Sequence, residues 1–107
     1  MILVDANLLL YAVDESSPVN EKARKWWESA LSGKDPVYLC WTVISAFIRI
    51  GTHPRVFENP LMLNEAVSIV EGWFAQPCVR IAVPTENHWN ELRTMLNKGK
   101  ANGNLVT

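Results

Sequence analysis

An apolar run that ends in an acid and turns at once into a helix constrains this chain more than any other feature. Met1-Ile2-Leu3-Val4 is unbroken by polar residues, Asp5-Ala6-Asn7 closes it, and Leu8-Leu9-Leu10-Tyr11-Ala12-Val13 follows without a linker. An unbroken apolar run is how a buried strand of a parallel sheet reads. Open α/β sheets keep their sites outside the carboxyl ends of their strands, and this pattern delivers the Asp5 carboxylate to such an end. The helix from about Ala6 to Val13 is apolar on nearly every face, so its place is the interior.

The remainder alternates short apolar runs with helical periodicity, which predicts βαβ units around a parallel sheet. Ser17-Pro18 reads as a cap and first turn for a helix bearing Val19, Ala23, Trp26, Trp27 and Ala30 on one face. Gly33 is expected to end it. Val37 to Cys40 reads as a second strand. Thr42 reads as the cap of a helix running to about Ile50, which Gly51-Thr52-His53-Pro54 breaks. A further helix is expected from about Leu63 to Ala75, burying Ala66, Ile69, Val70, Trp73 and Phe74. Val79 to Val83 reads as a third strand. Pro84-Thr85 then caps a helix from Glu86 to about Asn97, with Trp89, Leu92 and Leu96 facing inward.

With 107 residues, nearly half of them apolar, the chain is expected to form one globular domain. A net charge of -1 gives no bulk attraction to a polyanion and leaves only local patches for that purpose. No run is long enough to span a bilayer, and no basic segment leads into an apolar one, so a cytoplasmic location is expected. Cys40 and Cys78 stand apart without metal-ligand spacing and read as buried free thiols of a reducing compartment. Most of the five tryptophans are expected in the core.

Asp5 leaves two readings open. It caps the following helix, or it is an oxygen ligand for Mg²⁺ or Mn²⁺. Asn7 either orients Asp5 or a water, or bonds to local backbone. Arg49 and Arg55 have the fork geometry that suits a phosphate group, though Arg49 could equally pair with a carboxylate and Arg55 stand in solvent. Asp14 and Glu15 read as solvated, and Lys22, Arg24 and Lys25 as a solvated helix face. His53 and His88 have no partner at catalytic spacing, so neither is proposed as a general base.

The opening segment Met1 to Tyr11 resembles the start of PIN-domain proteins, close to the VapC toxins of bacterial toxin–antitoxin pairs. The likeness continues through Ala46-Phe47-Ile48-Arg49-Ile50, Thr52-His53-Pro54-Arg55-Val56-Phe57, Val70-Glu71-Gly72-Trp73, Pro84-Thr85 with His88-Trp89, and Gly103-Asn104-Leu105-Val106-Thr107. It implies a three-layer α/β/α fold with a central parallel sheet. It also implies a Mg²⁺- or Mn²⁺-dependent endoribonuclease that is dimeric and neutralised by a VapB-like antitoxin. Asp5 carries over as the first metal-binding acid and Asn7 as its polar neighbour in the catalytic site.

Two departures from the family pattern stand out. Ser45, Ala46 and Phe47 occupy the region where the family commonly carries a glutamate. The chain also closes at Asn104-Leu105-Val106-Thr107, where the family continues into further acids and a last strand. The domain at residues 1–107 is therefore expected to be incomplete at its C-terminus, with one probable metal carboxylate. The alternative expectation is a catalytically inactive module that binds an antitoxin or a second copy, its groove drawn from Trp26, Trp27, Phe47 and Trp73. A Rossmann-like small-molecule domain is disfavoured because no glycine-rich phosphate loop follows the first strand.

Overall fold

The computed structural model describes residues 2–82 together with residues 89, 90, 93, 94 and 97. Within them the chain runs β1 (Ile2–Leu3), α1 (Ala6–Val13), α2 (Asn20–Ser32), β2 (Val37–Cys40), α3 (Trp41–Gly51), α4 (Leu63–Phe74) and β3 (Val79–Ala82). The three strands form one parallel sheet in the order β1-β2-β3. Parallel neighbours cannot be joined by a hairpin, so each pair is linked by a crossover. Two helices make each crossover: α1 and α2 in the first, α3 and α4 in the second. This is the α/β architecture expected from the alternation of patterns.

Register fixes the sheet. Ile2 pairs with Val37 and Leu3 with Tyr38, while Val37 to Cys40 pair in step with Val79 to Ala82. Side chains alternate across a strand, so Val37 and Leu39 share one face and Tyr38 and Cys40 the other. Val4, Val37 and Leu39 are fully buried against the helices. Tyr38 and Cys40 are half-buried and Arg80 is exposed, so that second face is only partly covered by the described residues.

The core is aromatic where the helices meet. Trp27 of α2 stands edge-on to Trp73 of α4, with ring centroids 5.5 Å apart, and Phe47 of α3 lies 4.7 Å from Trp73. Such tilted and edge-to-face contacts satisfy the ring quadrupoles better than a sandwich. Phe47 is 0% and Trp27 4% exposed. A docking groove built from Trp26, Trp27, Phe47 and Trp73 is therefore excluded: three of the four are core and Trp26 is half-buried against Trp27.

Three local expectations are corrected. Ser17 does not cap α2, which starts at Asn20 with Val19 at its N-cap. The Ser17 hydroxyl instead accepts the Val19 N–H at 3.3 Å in a local turn, the usual competitor of a cap. Thr42 does not cap α3, because β2 passes directly into it with Cys40 at the N-cap. Trp89 does not face inward; it is 62% exposed. The expectations for Val83 to His88, for Leu92 and Leu96, and for Lys98 to Thr107 lie outside the described residues.

Candidate functional site

Asp5 and Cys40 occupy equivalent places. Each lies two residues beyond the paired Leu3 and Tyr38, and each is the N-cap of the helix that follows. Their backbones are nearly the same, φ -88° and ψ 145° at Asp5 against φ -88° and ψ 148° at Cys40. The N-termini of α1 and α3 thus stand side by side at the carboxyl edge of the sheet. Unsatisfied N–H groups and the helix dipoles give that edge a positive partial charge. The Asp5 carboxylate offsets it at α1, while α3 carries no acid at its cap or in its first turn.

Asp5 is half-buried. Its Oδ1 accepts the Asn7 backbone N–H at 3.3 Å, so the capping reading of Asp5 holds in the structure. This bond fixes the carboxylate over the start of α1. Asn7 is exposed one residue into that turn, so the structure brings Asp5 and Asn7 together. Ser45, where an acid was expected by likeness, is exposed on α3 and brings a hydroxyl in its place.

The donor set can be tested against a divalent ion. Mg²⁺ takes six oxygens in a near-octahedral shell and gives up water reluctantly. Among the described residues no three of His, Cys, Asp and Glu come together as a metal cluster. The Asp5 carboxylate suits one vertex of such a shell, with Asn7 beside it. The described residues do not build the rest.

Arg49 and Arg55 are not brought to this edge. Arg49 lies in the last turn of α3, about 12 Å along the axis from Trp41 at 1.5 Å per residue. A cation there also suits the negative end of the helix. Arg55 follows in the loop, where its N–H is held by His53 Nδ1 at 3.0 Å. His53 thus serves loop geometry. Asp14 and Glu15 lie past the far end of α1, beside a cleft of about 280 Å³ lined by Leu10, Val13, Phe57 and Leu61. Asp14 Oδ1 there accepts both the Ser16 N–H at 3.1 Å and its hydroxyl at 2.6 Å.

Both cysteines are free and half-buried rather than fully buried. By register Cys78 falls opposite Pro36, four residues along β2 from Cys40, which is about 13 Å and too far for a disulfide. Burial pushes the Cys40 thiol above its ordinary range, so it stays protonated and is no nucleophile at neutral pH. The Cys78 thiol donates to the Leu31 carbonyl at 3.2 Å.

One residue at this edge went unnoticed in the sequence. Trp41 opens α3 and is 57% exposed. The available signal was its position: an indole at the first helical residue after a buried strand has no core to enter from there.

No protein-family model matches the chain. Among curated proteins it is similar to three Mycobacterium tuberculosis ribonucleases of one type. Ribonuclease VapC37 is 38% identical over 106 residues, covering 99% of this chain and 74% of the relative. Ribonuclease VapC31 is 34% identical over 106 residues, covering 99% and 75%. Ribonuclease VapC33 is 33% identical over 107 residues, covering 100% and 75%. A strand-borne acid capping the first helix, a parallel α/β sheet and similarity over nearly the whole chain agree: the chain belongs to the VapC family of PIN-domain toxin ribonucleases.

Proposed function

We propose that this chain acts as a divalent-metal-dependent endoribonuclease toxin, cutting RNA phosphodiester bonds and neutralised by a VapB-like antitoxin. We further propose that residues 1–107 belong to a single PIN-like domain, that it works as a cytoplasmic homodimer, and that Mg²⁺ or Mn²⁺ is its metal. The observation that carries the reading is the placement of Asp5: a carboxylate fixed at the carboxyl edge of a parallel sheet, between two helix N-termini.

When bound, the divalent ion would supply an activated water and neutralise charge developing at phosphorus. The protein's own residues do the following. Asp5 holds the ion, its carboxylate already oriented by the Asn7 N–H. The exposed Asn7 amide orients a water or a substrate oxygen beside it. The N-terminus of α3, which carries no acid, favours the phosphate backbone. Arg49 in the last turn of α3 and Arg55 in the loop after it hold phosphates of a flanking stretch of RNA rather than the one that is cut.

The test is cleavage of labelled single-stranded RNA with Mg²⁺, beside Asp5→Asn, together with a calorimetric Mn²⁺ titration of both. Cutting and saturable Mn²⁺ binding that both vanish in the variant are expected. Cutting that survives in Asp5→Asn would overturn the assignment. The absence, among the described residues, of any group of three metal-ligating side chains around Asp5 favours a second reading, a catalytically inactive module that still binds an antitoxin or another copy. That reading requires neither Mn²⁺ binding nor cutting in the wild type, with partner binding unchanged in Asp5→Asn.

A further inference from the structure

We propose that Trp41 is a stacking platform for one nucleobase of the RNA; this deepens the ribonuclease reading and rests on it. Among the described residues Trp41 and Trp89 are exposed indoles and Trp26 is half-buried. Trp27 and Trp73 are core, interlocked with Phe47. Trp41 has 57% of its surface in water although it opens a helix whose other aromatic, Phe47, is fully buried. Phe74 meets the Trp41 ring at 6.4 Å and a tilt of 57°, which steadies the indole without covering it.

Its position gives this exposure a use. Asp5 and Cys40 are in step across β1 and β2, and Trp41 is the next residue. Leu3 and Tyr38 are paired neighbours, so the N-cap of α1 and the start of α3 share that edge of the sheet. A base laid on Trp41 is then at the same edge as a phosphodiester at Asp5. The edge combines the two things single-stranded RNA needs: a positive partial charge for the backbone and an aromatic face for a base. The N-terminus of α3, with no acid at its cap or in its first turn, supplies the former. Stacking tolerates any base, so this contact adds affinity and register with little sequence discrimination.

The test is fluorescence anisotropy in EDTA with a labelled, randomised ten-nucleotide single-stranded RNA pool and an abasic chain of the same length. The wild type is compared with Trp41→Phe and Trp41→Leu, each checked for folding by circular dichroism. Leu keeps apolar bulk and removes the π face. Trp41→Leu is expected to bind RNA about tenfold more weakly or worse. Trp41→Phe should stay within about threefold, and all three proteins should bind the abasic chain alike. Should Trp41→Leu not fold, quenching of tryptophan emission by the RNA, present in the wild type and lost in Trp41→Phe, carries the same test. Unchanged RNA binding in Trp41→Leu, with no such quenching difference, would overturn the platform while leaving Asp5 its role. Equal losses on RNA and the abasic chain would overturn it too, since the effect would not be stacking. A wild type that neither binds nor cuts RNA would remove the ribonuclease reading and this inference together.

Discussion

At the scale of single residues, Asp5 carries two duties that chemistry can separate. Asn is as good an N-cap as Asp, whereas Ala is not. Asp5→Asn should therefore leave the unfolding midpoint almost unchanged while removing metal binding, and Asp5→Ala should cost about 1 kcal/mol as well. Urea titration of the three proteins checks this, and equal stability of all three would deny the capping bond. Cys40 gives a second prediction. Burial raises its thiol pKa, so the folded chain holds that proton more tightly than the unfolded chain does. Its contribution to stability is then complete below the ordinary thiol range of about pH 8.5 and is lost as pH rises through the raised folded value. Cys40→Ala should fall less steeply with alkali than the wild type when denaturation midpoints are compared between pH 7 and 10. Asp5 was legible in the sequence because both its roles follow from a strand passing straight into a helix. Trp41 offered only its position at a helix start as a signal, because exposure is otherwise a property of neighbours distant in the chain.

Among the elements, periodicity located the helices better than cap residues did. The expected spans of α1 and β2, Ala6–Val13 and Val37–Cys40, are the observed ones. The apolar face of α4 is buried at Ala66, Val70 and Trp73 as its spacing required. Ser17 and Thr42 misled because a hydroxyl near a helix start has several local partners and only the fold decides among them. Asn20 shows what decided here: its amide Nδ2 donates to the Tyr11 carbonyl at 2.8 Å and that of Ala12 at 3.2 Å, tying the start of α2 to the end of α1. Gly72 offers a clean element-level test. It is an exposed position inside α4, and an added Cβ would meet nothing within 4 Å. Gly72→Ala should stabilise the chain by about 0.5 to 1 kcal/mol and raise Tm. Trp73→Ala on the same helix should cost about 3 to 5 kcal/mol, since its cavity opens beside Trp27 and Phe47.

For the whole molecule, charge sets the expectation. With a net charge of -1, RNA binding must come from a local footprint rather than from the overall field. The salt dependence of RNA affinity should accordingly be shallow. Arg49→Gln and Arg55→Gln should each reduce the slope of log affinity against log salt by about 1 and weaken all sequences alike. A slope unchanged in both variants would return these arginines to the roles the fold already gives them, opposite the α3 dipole and in solvent. Among the described residues no helix is long and apolar enough to cross a membrane.

The sequence by itself determined the order of the elements, the parallel sheet and the acid at the end of its first strand. Each of these follows from patterns a few residues long: an apolar run, a helical period, a cap. The tertiary structure alone decided which tryptophans are core and which face water, and that Arg49 and Arg55 stand away from Asp5. It also decided that the second face of the sheet is only partly covered within the described residues. The physical reason is that burial and proximity arise from packing between segments far apart in the chain, and no local pattern encodes which segments will meet.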